Sequence, residues 1–313
     1  MLGKTANGLF WMFRYIERAG NCARLVEAGL RMALTHSSGG EDEWASIIAT
    51  AGVVQGFKAR HGTDYTAANV IDFLLRDREN PSSVRSSIDA ARNNARLVRT
   101  AVTREVWESV NQCWMTTNDN LRHVIREAEL PAILESIKQD SSLIRGSLHG
   151  SMLRNENYDF ARLGTFVERA DNTARILDVK YYILLPSVAF VGSTLDNIQW
   201  ESILRSVSAQ RSYRWTYDPD YQPANIADFL ILNRRMPRSL AFTYDKIVAN
   251  LTYLAEDYGE RHPCHETAER NLNRLRGKQI SDIFELGLHE FLQEFISDNN
   301  RLSAEIAEAY MFV

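Results

Sequence analysis

The feature of this 313-residue sequence that most constrains its fold is one polar motif that occurs twice. Residues 17–24 read Glu-Arg-Ala-x-Asn-x-Ala-Arg, and the same pattern returns at residues 168–175, an offset of 151. Further along the offset becomes 156, and the matched pairs there are Trp44 and Trp200, Tyr65 and Tyr221, Asp72 and Asp228, and Pro81 and Pro237. Similarity at a fixed spacing is typical of duplicated units. We therefore predict two tandem copies, residues 1–155 and 156–313, with an insertion near residues 186–193.

Helical periodicity runs through nearly the whole chain. The first apolar stripe advances in steps of three and four through Leu9, Phe13, Ile16, Gly20, Ala23, Val26 and Leu30. Only 7 prolines and 16 glycines interrupt the chain, and no segment alternates with period two over a strand's length. We predict an all-α fold: two tandem copies of a five-to-six-helix bundle unit, related by a pseudo-two-fold axis and packed as one compact unit. One helix is expected over residues 5–35 and another over residues 82–118.

Charge and composition narrow the function classes. A net charge of -4 and a pI near 6.0 provide no broad basic field, so we expect neither nucleic acid nor a membrane as a partner. The apolar run at residues 9–13 is too short for a signal peptide or a membrane span. The three scattered cysteines form no CxxC pair and favour a reducing compartment. The sequence predicts a cytoplasmic protein without a cofactor, since P-loop, dinucleotide-binding and nucleophile-elbow motifs are all missing.

The repeated motif places its polar side chains on one stripe of each helix. Positions i, i+4 and i+7 share a face, which aligns Glu17, Asn21 and Arg24 in the first copy. One interpretation is a buried ion-pair network that clamps the two copies together. The other is a site for a carboxylate or phosphate, with Glu17 or Glu168 as an acid or base. The candidate substrate-binding residues are Arg14, Arg18, Asn21, Arg24, Arg169, Asn172 and Arg175.

Two further patterns have ordinary structural explanations beside functional ones. Asn80 and Pro81 are expected to start a helix, and a helix N-terminus there could bind an anion, although capping and packing explain most of the pattern. Residues 262–266 read His-Pro-Cys-His-Glu, a set of potential metal ligands. Because Pro263 interrupts a continuous helix and no HExxH spacing exists, a capping turn is favoured there and no metal site is predicted.

The doubled Glu-Arg motif, with the preceding Trp11-x-x-Arg14-Tyr15-Ile16, resembles the bacterial alpha-E family over the whole chain. That family is all-helical and carries a Glu-Arg motif. Its genetic neighbours are ATP-grasp ligase-like and transglutaminase-like proteins, so the resemblance implies these two classes as partners. This sequence departs from the family's Pro-Arg-Ser element at Ser82, whereas Pro237-Arg238-Ser239 keeps it.

Three functional hypotheses follow. The resemblance favours an accessory or partner protein of an ATP-grasp amide-ligase or peptide-modification system, in which the Glu-Arg helices form an anion-binding or structural core. A second hypothesis is a stand-alone enzyme that uses Glu17 or Glu168 on an acidic or peptide substrate. A purely structural helical adaptor is the third. The sequence alone leaves open whether the protein is an enzyme.

Overall fold

The computed structural model describes residues 3–33, 41–182, 194–217 and 221–312. All regular elements within these ranges are helical, as predicted. The first part of the chain contains α1 (Gly3–Ala33), α2 (Glu41–Thr50), α3 (Val54–His61), α4 (Ala67–Leu75), α5 (Val84–Leu97), α6 (Arg104–Asn120) and α7 (Leu130–Ser151). The second part contains α8 (Glu156–Tyr182), α9 (Thr194–Ser206), α10 (Gln210–Arg214), α11 (Pro223–Ile231), α12 (Leu240–Tyr258), α13 (Pro263–Arg276), α14 (Ile280–Leu286) and α15 (Leu288–Ala309).

Helices α1 and α8, with 31 and 27 residues, pack against each other at the centre of the described structure. Helices α5, α7 and α9 pack on α1, and α12 and α15 pack on α8. Neighbours on several sides bury polar as well as apolar side chains of α1, among them Arg14, Glu17, Asn21 and Arg24. The Glu-Arg stripe of α1 therefore lies inside the molecule rather than on its surface.

A glycine sets the distance between the two central helices. A Cβ atom added to Gly164 would lie 2.0 Å from the carbonyl oxygen of Phe10, so only glycine permits this approach. Glu168 follows Gly164 by one helical turn, and Glu17 follows Phe10 by two. The close crossing thus brings each glutamate next to the opposite helix.

Several local predictions need correction. The single helix expected over residues 82–118 is two helices, because Thr103 is extended and its hydroxyl caps α6 by accepting from the Val106 N–H. Neither Asn80 nor Pro81 starts α5; Ser83 caps it by accepting from the Ser86 N–H. Five or six helices were predicted for each half of the chain. The described part of the first half contains seven α-helices and that of the second contains eight, because short helices such as α3 and α10 were not expected.

Some predictions fall outside the described residues: the end of the first helix at residues 34–35 and the insertion near 186–193. Within the described ranges, no helix has both the length and the hydropathy needed to cross a lipid bilayer. The three cysteines are buried free thiols.

Replacing Gly164 with alanine is expected to destabilise the protein by roughly 1 to 3 kcal/mol, because the added methyl group meets backbone that cannot rotate away. Urea denaturation measures this change. Gly146 in α7 is the matched control, since nothing lies within 4 Å of an added Cβ there. Gly146→Ala should stabilise the protein by about 0.5 to 1 kcal/mol through helix propensity. Wild-type stability in Gly164→Ala would contradict the close crossing.

Candidate functional site

The two motif glutamates are paired across the α1–α8 contact in a reciprocal way. Glu17 of α1 accepts a bidentate pair of hydrogen bonds from Arg169 of α8, with Nε–Oε1 and Nη2–Oε2 distances of 3.0 and 3.1 Å. Glu168 of α8 accepts a bidentate pair from Arg18 of α1 at 2.6 and 2.9 Å. Each Glu-Arg motif therefore supplies the carboxylate for the arginine of the other.

Glu17 lies in a cluster of three arginines. Besides Arg169, it accepts from Arg238 Nη1 at 2.8 Å and from Arg145 Nη1 at 3.0 Å. Arg238 belongs to the turn before α12, and this turn is held by α8: Arg169 and Thr173 donate to the carbonyl oxygens of Pro237 and Arg238. Since Glu17 is only 1% exposed, its carboxylate is enclosed by guanidinium groups and protein.

Glu168 has fewer partners. In addition to Arg18, Arg14 donates from Nε at 2.9 Å, while its Nη1 donates to Ser303 of α15 at 3.0 Å. Arg14 has no arginine counterpart at the position 151 residues later, which is Thr165. The Thr165 hydroxyl instead donates to the Ala161 carbonyl oxygen.

The arginines keep both carboxylates ionised. Burial by itself would raise the pKa of Glu17, but the charges of Arg169, Arg238 and Arg145 outweigh it and hold the pKa well below its usual range. In the same way Arg18 and Arg14 lower the pKa of Glu168 to about 2 against the effect of burial. At neutral pH neither residue has a proton to donate, and each is a weak base.

The cluster carries more positive than negative charge. Six arginines surround the two glutamates: Arg14, Arg18, Arg24, Arg145, Arg169 and Arg238. Within this group, four positive charges have no matching negative charge. Burial, followed by repulsion from Arg24, lowers the pKa of Arg238 well below its usual range. Burial also lowers the pKa of Arg24 to about 10. An anion placed among these groups would relieve the repulsion.

A cavity of about 240 Å³ adjoins the Glu168 cluster, and we call it the α1/α8 cavity. Buried side chains of Arg14, Asn21 and Glu168 line it, and the exposed residues Gly52 and Asn300 lie at its edge. This volume is somewhat below the roughly 300 to 1,000 Å³ of pockets for drug-sized ligands. It suits a small anion or one end of a longer molecule.

Asn21, which lines this cavity, has a buried amide nitrogen without a hydrogen-bond partner in the described part of the chain. Its side-chain Oδ1 accepts from Arg24 Nη1 at 3.2 Å and from Arg238 Nη1 at 3.1 Å, which fixes the orientation of the amide. The amide Nδ2 is then left without an acceptor among the residues that the structure describes. Since Asn21 is 3% exposed, burying this unpaired amide nitrogen costs free energy.

The charged groups of the lining offer hydrogen-bond donors rather than free acceptors. Both oxygens of Glu168 accept from arginines, and both oxygens of Asp171 accept from Arg175, at 2.7 and 3.2 Å. By contrast, Nη1 of Arg18 and Nη1 of Arg175 have no acceptor in the described part of the chain. The cavity is therefore matched to a ligand that accepts hydrogen bonds and carries negative charge.

Cys22 lines the same cavity but is not a nucleophile there. Its thiol lies 3.4 Å from the Leu74 carbonyl oxygen, to which it donates. Burial raises the pKa of Cys22 to about 12, so the thiol stays protonated at neutral pH. Binding, rather than covalent chemistry, is what the lining supports.

The predicted site residues divide between two places. Those that line the cavity are Arg14, Arg18, Asn21, Asn172, Arg175 and Glu168. Glu17, Arg24 and Arg169 instead belong to the closed cluster around Glu17. Sequence reasoning missed Arg145 and Arg238 as partners of Glu17. The Pro-Arg-Ser element pointed to Arg238, whereas no motif marks Arg145.

Residues 262–266 form the first turn of α13, in line with the favoured interpretation as a capping turn. Nδ1 of His265 accepts from the His262 N–H at 2.9 Å, and its Nε2 donates to the Leu251 carbonyl oxygen at 3.0 Å. Both ring nitrogens of this buried histidine are therefore engaged by the protein itself.

The part of the chain that the structure describes is all-helical and is built around two crossing helices that each carry a Glu-Arg motif. These features define the class of protein. The chain belongs to the Alpha-E family, described as "a predicted alpha-helical domain with a conserved ER motif", whose model matches residues 1–311. It is 22% identical to an uncharacterised protein of Mycobacterium bovis over 97% of this chain and 36% of the relative. Two uncharacterised Mycobacterium tuberculosis proteins match at 22% and 21% identity with the same coverage. The chain thus spans about a third of these relatives' length, and no solved structure matches it.

Replacing Glu17 with glutamine should destabilise the protein by about 3 to 5 kcal/mol, since three arginines, two of them buried, lose their counter-charge. Its lowered pKa also predicts a pH effect. The ionised carboxylate stabilises the fold fully above the unfolded-state pKa of about 4.3, and this contribution is lost as the pH falls towards the lower folded-state pKa. Denaturant unfolding between about pH 2 and 5 measures the slope, which should be smaller in Glu17→Gln.

Glu108 provides the control for this experiment, because its ion pair with Arg104 is exposed. Glu108→Gln should leave stability and its pH dependence near those of the wild type. Equal stability of Glu17→Gln and Glu108→Gln would show that the buried cluster does not hold the central helices together.

Proposed function

We propose that this protein binds the carboxylate of a small or peptide ligand in the α1/α8 cavity, and that it acts as an accessory protein of an ATP-grasp-type amide-ligase system. The observation that carries the binding proposal is the surplus of unpaired donors in the cavity. Arg18 Nη1 and Arg175 Nη1 have no acceptor among the described residues, while the lining carboxylates are already paired. A ligand carboxylate supplies both the charge and the acceptors that these groups need.

A neighbouring groove favours a peptide over an isolated anion. It has a volume of about 760 Å³ and shares Gly52 and Ser82 with the α1/α8 cavity. Phe73, Val53 and Pro81 contribute apolar surface to it. A peptide whose C-terminal carboxylate enters the cavity would have room for its preceding residues in this groove.

Ser82 explains why the site is proposed beside Glu168 alone. The residue 156 positions later is Arg238, whose side chain fills the space beside Glu17 and Asn21. The short side chain of Ser82 lines the cavity beside Glu168 instead. We infer that the Glu17 cluster is structural and that the Glu168 side takes the ligand.

We further propose that residues 1–155 and 156–313 are two copies of one unit with a pseudo-two-fold relation. The reciprocal pairs of Glu17 with Arg169 and Glu168 with Arg18 support it. Positions 156 residues apart also have the same local structure. Gly52 and Ser208 both have positive φ angles, and Ser83 and Ser239 both cap helices. The ring of Phe57 contacts Tyr65 and Phe73, and the ring of Tyr213 contacts Tyr221 and Phe229 in the same way.

The partner role rests on the family resemblance, which implies ATP-grasp ligase-like and transglutaminase-like proteins. A carboxylate is the group that an amide ligase activates, so a carboxylate-binding subunit fits such a system chemically. The mycobacterial relatives extend well beyond the matched region, which is compatible with a unit that works beside other domains.

The observations favour binding over acid-base catalysis by the motif glutamates. A general base works best with a pKa near the operating pH, and the arginines hold the pKa values of Glu17 and Glu168 far below neutrality. A purely structural adaptor accounts for the Glu17 cluster but not for the unpaired donors beside Glu168.

The binding test uses an N-acetylated alanine tripeptide with a free C-terminal carboxylate, compared with its C-terminal amide, by titration calorimetry. The acid should bind and the amide should not, because only the acid supplies a charged acceptor. Arg175→Gln should weaken binding by about tenfold or more, as expected for a lost hydrogen bond to a charged group. Ser82→Arg should also weaken it by filling the cavity, without unfolding the protein.

Arg104→Gln is the matched control, because Arg104 forms an i, i+4 pair like that of Arg175 but lies on the exposed surface of α6. It should bind like the wild type. Equal binding of the acid and the amide, or unchanged binding in both cavity variants, would overturn the proposal.

The partner proposal predicts that an ATP-grasp ligase-like protein from the same organism co-purifies with this chain and that its turnover depends on it. Arg175→Gln should keep the association but reduce the stimulation of ligase turnover, since it alters ligand binding and not the fold. Absence of both association and any change in turnover would refute the accessory role.

A further inference from the structure

A second cavity, of about 410 Å³, lies between the first turns of α8 and the C-terminal part of α12. The most buried charged residue in its lining is Asp159, which is 4% exposed. The side chain of Asp159 forms no hydrogen bond or ion pair with any residue in the described ranges. The carboxylate of this otherwise buried side chain is unpaired within these ranges and borders the cavity, which points to a ligand that pairs with it.

The electrostatics of Asp159 agree with this interpretation. Burial, and then the nearby charge of Asp257, raise the pKa of Asp159 to about 7, against a smaller opposing effect of Arg162. A cation beside the carboxylate would stabilise its ionised form. The ionised form of Asp159 is therefore favoured when a cation occupies the cavity beside it.

Cationic side chains also line this cavity, and they too lack acid partners. No salt bridge to a described residue is formed by the three lining cations, Arg154, Arg162 and Lys246. The lining acids Glu256 and Asp257 also form none. Arg162 is held in place by His149, whose Nε2 lies 2.7 Å from its Nη1, and by the ring of Phe166 at 4.3 Å. Groups of both signs are therefore available to a ligand.

The cavity is not a general consequence of how such helices pack. The 151-residue offset places Gly8 of α1 at the position of Asp159 in α8. A Cβ atom on Gly8 would lie 2.4 Å from a methyl group of Val98, the residue that follows α5. Helix α1 and the end of α5 are therefore tightly packed at this point. In the second half the chain has a carboxylate and an open space at the corresponding place.

We propose that this second cavity binds a zwitterion of the α-amino acid class, with its ammonium group on Asp159 and its carboxylate at Arg162 and Lys246. The Asp159 carboxylate selects the ammonium group because it is buried and unpaired. The cationic side chains, which are more exposed than Asp159, receive the opposite charge of the same ligand. The site is separate from the α1/α8 cavity and does not depend on the function proposed for it.

Titration calorimetry with three probes tests this inference: L-alanine, which is a zwitterion, L-alanine amide, which is a cation, and N-acetyl-L-alanine, which is an anion. L-alanine should bind tightest, the amide more weakly, and N-acetyl-L-alanine should not bind at this site. Asp159→Asn should weaken L-alanine binding by about tenfold or more, as expected for a lost charge-assisted hydrogen bond. It keeps the shape of the side chain and should remain folded.

The pH dependence provides a second readout. In the wild type the affinity for L-alanine should increase as the pH rises through about 7, because Asp159 must lose its proton to pair with an ammonium group. Asp159→Asn should lose this dependence. The titratable and charged groups that line the cavity with Asp159 are Tyr158 and Arg162 of α8, Arg154 before it, and Lys246, Tyr253, Glu256 and Asp257 of α12.

Arg175→Gln separates the two cavities. L-alanine binding that survives Arg175→Gln and is lost in Asp159→Asn supports the second site. Binding that is lost in Arg175→Gln and kept in Asp159→Asn belongs to the α1/α8 cavity and overturns the inference. Absence of L-alanine binding to the wild type, or N-acetyl-L-alanine binding that depends on Asp159, overturns it as well.

Discussion

The enclosure of Glu17 by three arginines is the interaction on which the rest of the structure depends. Removing a carboxylate and guanidinium groups from water is costly, and the cost is offset only where hydrogen bonds satisfy the buried charges. Here four hydrogen bonds meet on one carboxylate, from Arg145 of α7, Arg169 of α8 and Arg238 before α12. This single side chain of α1 therefore joins three other segments that are far apart in sequence.

The same motif leads to two different environments. At Glu17, Arg238 fills the space beside the carboxylate, and the cluster is closed to a ligand. Beside Glu168, the corresponding residue is Ser82, whose side chain is short, and a cavity with unpaired arginine donors remains. Under our proposal, the motif stabilises the fold at Glu17 and binds a ligand beside Glu168, and the difference lies in residues outside the motif.

Sequence reasoning identified the central helices and most of the polar residues that meet between them. The spacing of Glu17, Asn21 and Arg24 is a property of one helix, so it can be read without a structure. The pairing of each Glu with an arginine of the other motif depends on how two helices cross, which local spacing does not contain. Arg145 was missed for this reason: it lies 128 residues from Glu17 and is joined to it only by packing.

What the sequence by itself determined is the all-helical class, the family and the polar stripe of each central helix, since periodicity and motif are local properties. Only the tertiary structure decided that the Glu17 carboxylate is enclosed by arginines and that the Glu168 carboxylate lies beside a cavity. It also decided that both carboxylates stay ionised. The reason is that burial and the pKa of a carboxylate depend on all the charges around it, and these charges come from segments brought together by folding. Asp159 illustrates the same point, because no motif distinguishes it, and only folding places its unpaired carboxylate at the edge of a cavity.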